Sequence, residues 1–253
     1  MRSLAIALIT LWFVACGNSG AGGPAVETTP GTNEVATRPA EPAATVVATQ
    51  PDTGQPAAAP EPVVRVLALV PLGEVKGETV EVVKKSIETA YGWRVDVMEP
   101  RALPEKAYYK PRKRYRAEKL LDWLIEEQPR DADKIMGLTE VDISTTKGKH
   151  DDWGICGLAL LDGPASVVST FRIKRKLGKV KGQERQEKYL ARLTDLSAHE
   201  FGHNLGLEHC PTEGCIMEDA KGTVLTFNKS TGELCAECRH QLYESGYLPV
   251  PTD

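Results

Sequence analysis

The stretch HEFGHNLGLEHC, His199–Cys210, decides how this chain of 253 residues is interpreted. His199 and His203 are four residues apart, so on a helix both imidazoles project from the same face and can bind one metal ion. Glu200 lies beside them, with its carboxylate near the open side of that ion. This set of residues is typical of a zinc site that keeps one position for water, with Glu200 as the general base.

A third histidine follows at a spacing that suits the same ion. Gly206 comes three residues after His203, where a residue able to adopt a left-handed conformation can end the helix and reverse the chain. That reversal can bring His209 to the metal as the third ligand. Three of the five histidines therefore share one ligand pattern. His150 and His240 belong to no such pattern, and we predict both at the surface.

Four cysteines form a C-x4-C pair and a C-x2-C pair separated by 19 residues: Cys210, Cys215, Cys235 and Cys238. This spacing predicts a structural zinc bound by four thiolates. Because Cys210 follows His209 directly, a second zinc would fix the loop that presents the third histidine. Disulfides are the alternative, because the amino terminus described below is typical of a secretory leader, which would send the domain to an oxidising compartment. Cys156 is predicted as a small core residue.

The complete string HExxHxxGxxHC-x4-C-x-M-x17-C-x2-C, which runs from His199 to Cys238, resembles the signature of archaemetzincins, a family of the metzincin clan of zinc peptidases. The segment DDWGICGLALLDGPASVVSTFR (151–172) is also similar to the family's sequence before the motif, so the likeness covers roughly residues 63–247. The resemblance implies that Met217 is the methionine beneath the metal. It also implies that a strand within Gly157–Asp162 aligns an extended peptide antiparallel at a sheet edge.

The resemblance implies a compact metzincin fold with a mixed, mostly parallel twisted sheet, an active-site helix and a small zinc-stabilised lower part. The residues independently favour this α+β (mixed α/β) class, because predicted strands and helices alternate from Val63 onward. Strands are predicted in VVRVLALVP (63–71), in WRVDVM (93–98), near 134–142 and 155–161, and on both sides of a turn at 162–164. Helices are predicted in TVEVVKKSIETAYG (79–92), 114–128 and 183–205. The basic runs KPRKRYRAEK (110–119) and KRKLGKVKG (174–182) are predicted as solvated faces and loops.

The amino terminus has a separate organisation. Arg2 precedes LAIALITLWFVA (4–15), an apolar run shorter than the ~20 residues needed to cross a bilayer and typical of a signal peptide. The run ends in FVACG, which resembles the lipobox of bacterial lipoproteins and implies lipidation of Cys16, although Phe13 stands where that pattern prefers leucine. Residues 17–62 contain 8 of the 17 prolines and no apolar periodicity, which predicts an extended tether.

These observations predict a signal peptide in 1–15, a lipidated cysteine and tether in 16–62, and an archaemetzincin-like metallopeptidase domain in 63–253. We expect a monomeric peptidase with two zinc ions, one catalytic and one structural, that cleaves peptides or proteins and is anchored by lipid to a bacterial membrane outside the cytoplasm. A net charge of -4 gives no indication of nucleic-acid binding. Two alternatives remain: a zinc hydrolase of a non-peptide bond, and a non-catalytic zinc-stabilised binding module, which the presence of Glu200 disfavours.

Overall fold

The computed structural model describes residues 64–219 and 230–248, and the backbone of residues 11–14. The strands in these ranges are β1 (Leu11–Val14), β2 (Val66–Leu72), β3 (Arg94–Val97), β4 (Tyr108–Tyr109), β5 (Arg114–Arg116), β6 (Lys134–Thr139), β7 (Ile143–Lys147), β8 (His150–Ile155), β9 (Gly157–Leu160) and β10 (Ala165–Ser169). The helices are α1 (Gly77–Tyr91), α2 (Ala117–Glu127), α3 (Thr170–Arg175), α4 (Gly182–Asn204) and α5 (Ala236–Glu244). Short 3-10 turns lie at Glu105–Ala107 and Lys110–Arg112.

The main sheet has the strand order β1-β9-β10-β6-β2-β3. Strands β10, β6, β2 and β3 run parallel to one another, whereas β9 is antiparallel to β10 and β1 is antiparallel to β9. All seven residues of β2 are buried, as expected for a central strand with both faces covered. The mixed, mostly parallel sheet that the sequence predicts is therefore confirmed.

Helix α1 packs against the sheet and against α4. Its predicted apolar face is buried at Val80, Val83, Ile87 and Tyr91. The helix ends at Gly92, whose φ of 68° lets its N–H bond to a carbonyl of the last turn. At the same end the Tyr91 hydroxyl donates to the carbonyl oxygen of Ala198 at 2.7 Å. This bond connects α1 to the part of α4 that carries the histidines.

The helix predicted over 114–128 begins three residues later than expected. Residues Arg114–Arg116 form β5 instead, which pairs in parallel with β7. The Arg114 guanidinium lies 3.3 Å from the carboxylate of Asp142 and 3.5 Å from that of Asp152. These tertiary contacts override the local helix propensity of the segment. At the other end, Gln128 is extended because Pro129 follows it.

A second sheet, in the order β4-β5-β7-β8, lies outside what the sequence predicts. Its arginines come from the basic run 110–119, and the side chains of Arg114 and Arg116 are only 16% and 15% exposed. The prediction of solvated faces and loops is therefore wrong at these two residues, because they pair with partly buried carboxylates. From helix α3, Arg172 adds a bidentate contact to Asp142 at 2.7 and 3.1 Å.

The two sheets share one continuous segment of chain. Strand β8 belongs to the second sheet and β9 to the main sheet, and only Cys156 separates them. Cys156 is fully buried, as predicted for a core residue, but its sulfur is disulfide-bonded, which the sequence does not predict. The corner also contains Gly154, where a Cβ would lie 1.8 Å from the Arg172 guanidinium. The start of β9 is thus fixed by close packing on both sides of Cys156.

Helix α4 extends from Gly182 to Asn204, close to the predicted range. Leu193 and Leu196 are fully buried, and Leu190 packs against the same core from a partly buried position. Among the described residues, no helix is both long and apolar enough to cross a bilayer. The carboxyl-terminal turns of α4 lie beside β9 and β10, the second and third strands of the main sheet.

Candidate active site

Two imidazoles are oriented by backbone carbonyls at the end of α4. The Nδ1 atoms of His199 and His203 lie 2.7 Å from the carbonyl oxygens of Ile216 and Leu207, respectively. A carbonyl oxygen only accepts, so each Nδ1 carries the proton and each Nε2 carries a lone pair. The two Nε2 atoms are 3.1 Å apart. Both lone pairs are therefore available to one metal ion.

The chain reverses after α4 and brings the third histidine to the same place. Gly206 has a φ of +87°, in the left-handed region that favours glycine. The N–H of Leu207 then donates to the carbonyl of Gly202 at 3.0 Å, which closes the turn. The His209 ring lies 5.3 Å from that of His199 and 5.0 Å from that of His203, measured between centroids. One ligand nitrogen from each ring lies within 4.8 Å of the others.

The surroundings keep these rings uncharged. Burial lowers the pKa of His199 to about 4 and lowers the pKa of His203 well below its ordinary value. Burial also lowers the pKa of His209, although the nearby carboxylate of Asp219 acts in the opposite direction. Neutral imidazole is the form that binds metals. The site therefore presents three histidines in the protonation state that metal binding requires.

Glu200 lies within the same turn and is fully buried. Neither of its carboxylate oxygens has a hydrogen-bond partner among the described residues, and burial raises its pKa well above the ordinary value. A buried carboxylate without a donor is costly unless a cation or bound water satisfies it. The donor set and this carboxylate together fit a divalent metal ion bound by the three histidines.

Met217 packs against α4 from below the histidines and is fully buried. A Cβ at Gly202 would lie 2.4 Å from the Met217 sulfur and 2.8 Å from the Tyr91 hydroxyl. The glycine between Glu200 and His203 therefore lets the methionine approach the helix backbone. The Met217 carbonyl also accepts from the N–H of Cys210 at 2.7 Å. Met217 thus supports the turn that carries His209; its place beneath a metal ion stays a prediction.

The four cysteines converge at a second site, with all four sulfurs within 4.8 Å of one another. All four thiols are free. The Cys210 and Cys235 sulfurs are 3.6 Å apart, and those of Cys215 and Cys238 are 3.8 Å apart. Four sulfurs bound tetrahedrally at a Zn–S distance of about 2.3 Å would be separated by roughly 3.8 Å. The cluster therefore has the spacing of a thiolate zinc site rather than of disulfides.

Sequence reasoning missed Asn204, which is fully buried at the end of α4. Its Nδ2 donates to the carbonyl oxygens of Leu160 and Ala165 at 3.0 and 2.8 Å. Next to it, the backbone N–H of Asp162 donates to the carbonyl of His203 at 2.8 Å. These bonds tie the turn between β9 and β10 to the active-site helix. The sequence signal that could have pointed to Asn204 is a side-chain amide directly after His203, at the end of the predicted helix.

The other predicted residues lie away from this centre. His150 and His240 are exposed, as the sequence predicts. Cys16 lies outside the described residues.

Comparison with known proteins identifies the family. Residues 72–244 match the family model of Peptidase family M54. The chain belongs to this family. Among its relatives, the archaemetzincin of Haloarcula marismortui is 29% identical over 175 residues, which cover 69% of this chain and 97% of the relative. The archaemetzincin of Methanopyrus kandleri is 32% identical over 153 residues, which cover 60% of this chain and 79% of the relative.

Solved structures agree with this membership. The crystal structure of the Methanopyrus kandleri archaemetzincin aligns with a TM-score of 0.58 and 28% identity, covering 72% of this chain and 95% of that one. The Archaeoglobus fulgidus archaemetzincin, complexed with malonate, aligns with a TM-score of 0.57 and 27% identity, covering 70% and 99%. This M54 protein is therefore a zinc metallopeptidase with the archaemetzincin fold.

The contact between Asn204 and the strands can be tested by truncation. Asn204→Ala should lower the free energy of unfolding by about 2 kcal/mol, because two buried carbonyls lose their side-chain donor. Urea unfolding of the purified chain measures this loss. Gln241→Ala is the control, since its exposed amide donates to the Gly206 carbonyl at 3.2 Å, and it should cost less than about 0.5 kcal/mol. Equal losses in the two variants would contradict the role given to Asn204.

Proposed function

We propose that this M54 protein hydrolyses peptide bonds with Glu200 as the general base and with His199, His203 and His209 as the ligands of a catalytic zinc ion. The observation that carries the proposal is the fully buried Glu200 carboxylate on the same helical turn as the converging imidazoles. The chemistry that zinc supplies when bound is Lewis acidity, which lowers the pKa of a coordinated water to about 7 and polarises a carbonyl.

The residues of the chain orient the metal ligands and transfer the proton. The carbonyls of Ile216 and Leu207 fix the two helical imidazoles in the tautomer whose Nε2 atom can bind metal. Glu200 takes the proton that the attacking water loses and delivers it to the amide nitrogen as the C–N bond breaks. The products are one carboxylic acid and one amine, so the catalytic proton is conserved.

We further propose that the substrate binds as an extended strand antiparallel to β9, in the place that residues 11–14 take in this structure. A pairing within the chain supports this, because β1 adds to β9 antiparallel, with Val14 opposite Gly157 and Leu11 opposite Leu160. Backbone hydrogen bonds of this kind are independent of side-chain identity, and they are a common way of holding a peptide. Gly157, at the start of β9, contacts Glu200. A peptide paired with β9 would therefore pass close to the general base.

Glu200→Gln should reduce peptide hydrolysis by about 10³-fold, because the amide keeps the shape of the side chain but cannot accept the proton. The rate is measured on a mixture of unstructured peptides, with zinc content determined in parallel. Glu208→Gln serves as the matched control, since Glu208 is exposed in the same segment, and it should retain activity. Full activity of Glu200→Gln, or loss of its zinc, would argue against a general-base role.

We propose that zinc also occupies the four-cysteine cluster, giving two ions per chain. The His199→Ala variant should then retain one zinc ion per chain, because the thiolate ligands are untouched, while His240→Ala should retain two. Metal analysis of the full chain, purified without added zinc, decides this. Complete loss of zinc from His199→Ala would show that the cysteines hold no ion of their own.

For the amino terminus we propose lipidation at Cys16 and anchoring outside the cytoplasm. The support is the sequence alone, namely the apolar run 4–15 and the FVACG motif that follows it. Expressed in a bacterial host, the full chain should partition into the detergent phase of a Triton X-114 extract, and Cys16→Ala should shift it to the aqueous phase. Mass spectrometry of the mature amino-terminal peptide should detect the acyl chains. Unchanged partitioning of the variant would exclude this anchor.

A further inference from the structure

The first residue of β9 touches the side chain of Glu200 along most of its length. A Cβ placed on Gly157 would lie 2.3 Å from Glu200 Oε1 and 2.6 Å from both Cδ and Cγ. In real structures, a Cβ atom essentially never lies within 3.0 Å of a heavy atom of a residue that is not its neighbour in the chain. Any residue larger than glycine at this position would therefore overlap three consecutive atoms of the proposed base.

The backbone does not require a glycine here. Gly157 lies in the extended strand β9 and is absent from the glycines with positive φ, in contrast to Gly206. Alanine could adopt the Gly157 backbone conformation without strain. The space that Glu200 occupies, rather than the path of the chain, is what makes glycine necessary at 157.

Neither the strand nor the helix can move apart easily to relieve such an overlap. The Asn204 amide binds the Leu160 carbonyl at 3.0 Å, and the Asp162 N–H binds the His203 carbonyl at 2.8 Å. These bonds hold the far end of β9 against α4. Strand β9 also pairs with β10 along its length. An added methyl group at 157 would consequently displace the Glu200 side chain, including Cγ, through rotation about χ1.

We propose that Gly157 is a positioning residue for Glu200: the absence of a side chain at 157 creates the space in which the carboxylate lies between the three histidines and the strand that pairs with substrate. The proposal rests on the proposed function, in which Glu200 is the general base. Proton transfer needs heavy atoms within roughly 2.6–3.2 Å, and a displacement of about 1 Å can cost about 10²-fold in rate. Gly157 thus affects catalysis without contacting the reacting atoms itself.

The first test is kinetic. Gly157→Ala should lower kcat for peptide hydrolysis by about 10²-fold, because the base is displaced, while zinc content stays equal to that of the wild type. The control is Gly77→Ala, since a Cβ there meets no atom within 4 Å and the backbone is not left-handed. That variant should retain wild-type kcat. A wild-type kcat in Gly157→Ala would overturn the proposal.

The second test does not depend on activity. The urea midpoint of unfolding is compared in four chains: wild type, Gly157→Ala, Glu200→Ala, and the double variant. Truncation of Glu200 removes all three atoms that the new methyl group would meet. Gly157→Ala should therefore lower the midpoint in the wild-type background and leave it unchanged or raised in the Glu200→Ala background. Equal shifts in both backgrounds would overturn the contact.

The possible outcomes separate this proposal from the function on which it rests. If Gly157→Ala does not fold but the double variant does, the contact is supported, and if neither folds, it is overturned. Glu200→Gln could keep full activity while Gly157→Ala still lowers the urea midpoint only when Glu200 is present. In that case the general-base role fails, but the packing of Glu200 against β9 stands.

Discussion

Burial of the Glu200 carboxylate is the constraint on which the rest of the centre depends. Removing a carboxylate from water costs several kcal/mol unless a cation or hydrogen-bond donors replace the lost hydration. No described residue donates to it, and the imidazoles of His199 and His203 on the same stretch of helix are neutral and can bind a cation. Three elements of the fold bring the imidazoles together near this carboxylate. Helix α4 supplies two of them, the turn at Gly206 presents the third, and Met217 packs against α4 at Gly202.

Features set by local geometry were predictable from the sequence. The four-residue spacing of His199 and His203 fixes a common helix face wherever that helix lies. In the same way, Gly92 and Gly206 stop their helices because left-handed backbone costs glycine little. The apolar face of α1 and the fully buried β2 follow from periodicity alone. The pattern of ligands therefore needed no knowledge of tertiary structure.

Features that depend on distant partners were not predictable. The sequence predicts Arg114 as the start of a helix, yet it forms a strand because Asp142 and Asp152, which lie 28 and 38 residues onward, pair with it. The hairpin of β7 and β8 is polar and short, so no periodic pattern distinguishes it from a loop. Asn204 and Gly157 are a further case. Each is explained only by the contact that β9 makes with α4, and a sequence does not reveal which strand lies against which helix.

The direct succession of His209 and Cys210 has a thermodynamic consequence. One peptide bond joins a member of the histidine cluster to a member of the cysteine cluster, so ordering either residue restricts the conformations open to the other. Two sites that order the same segment are coupled, and such coupling is reciprocal. If metal binding at the thiolates raises the metal affinity of the imidazoles by some factor, binding at the imidazoles raises the affinity of the thiolates by the same factor. If both clusters bind zinc, loss of the ion from the cysteines would weaken zinc binding at the histidines, and loss of the ion from the histidines would weaken binding at the cysteines by the same factor.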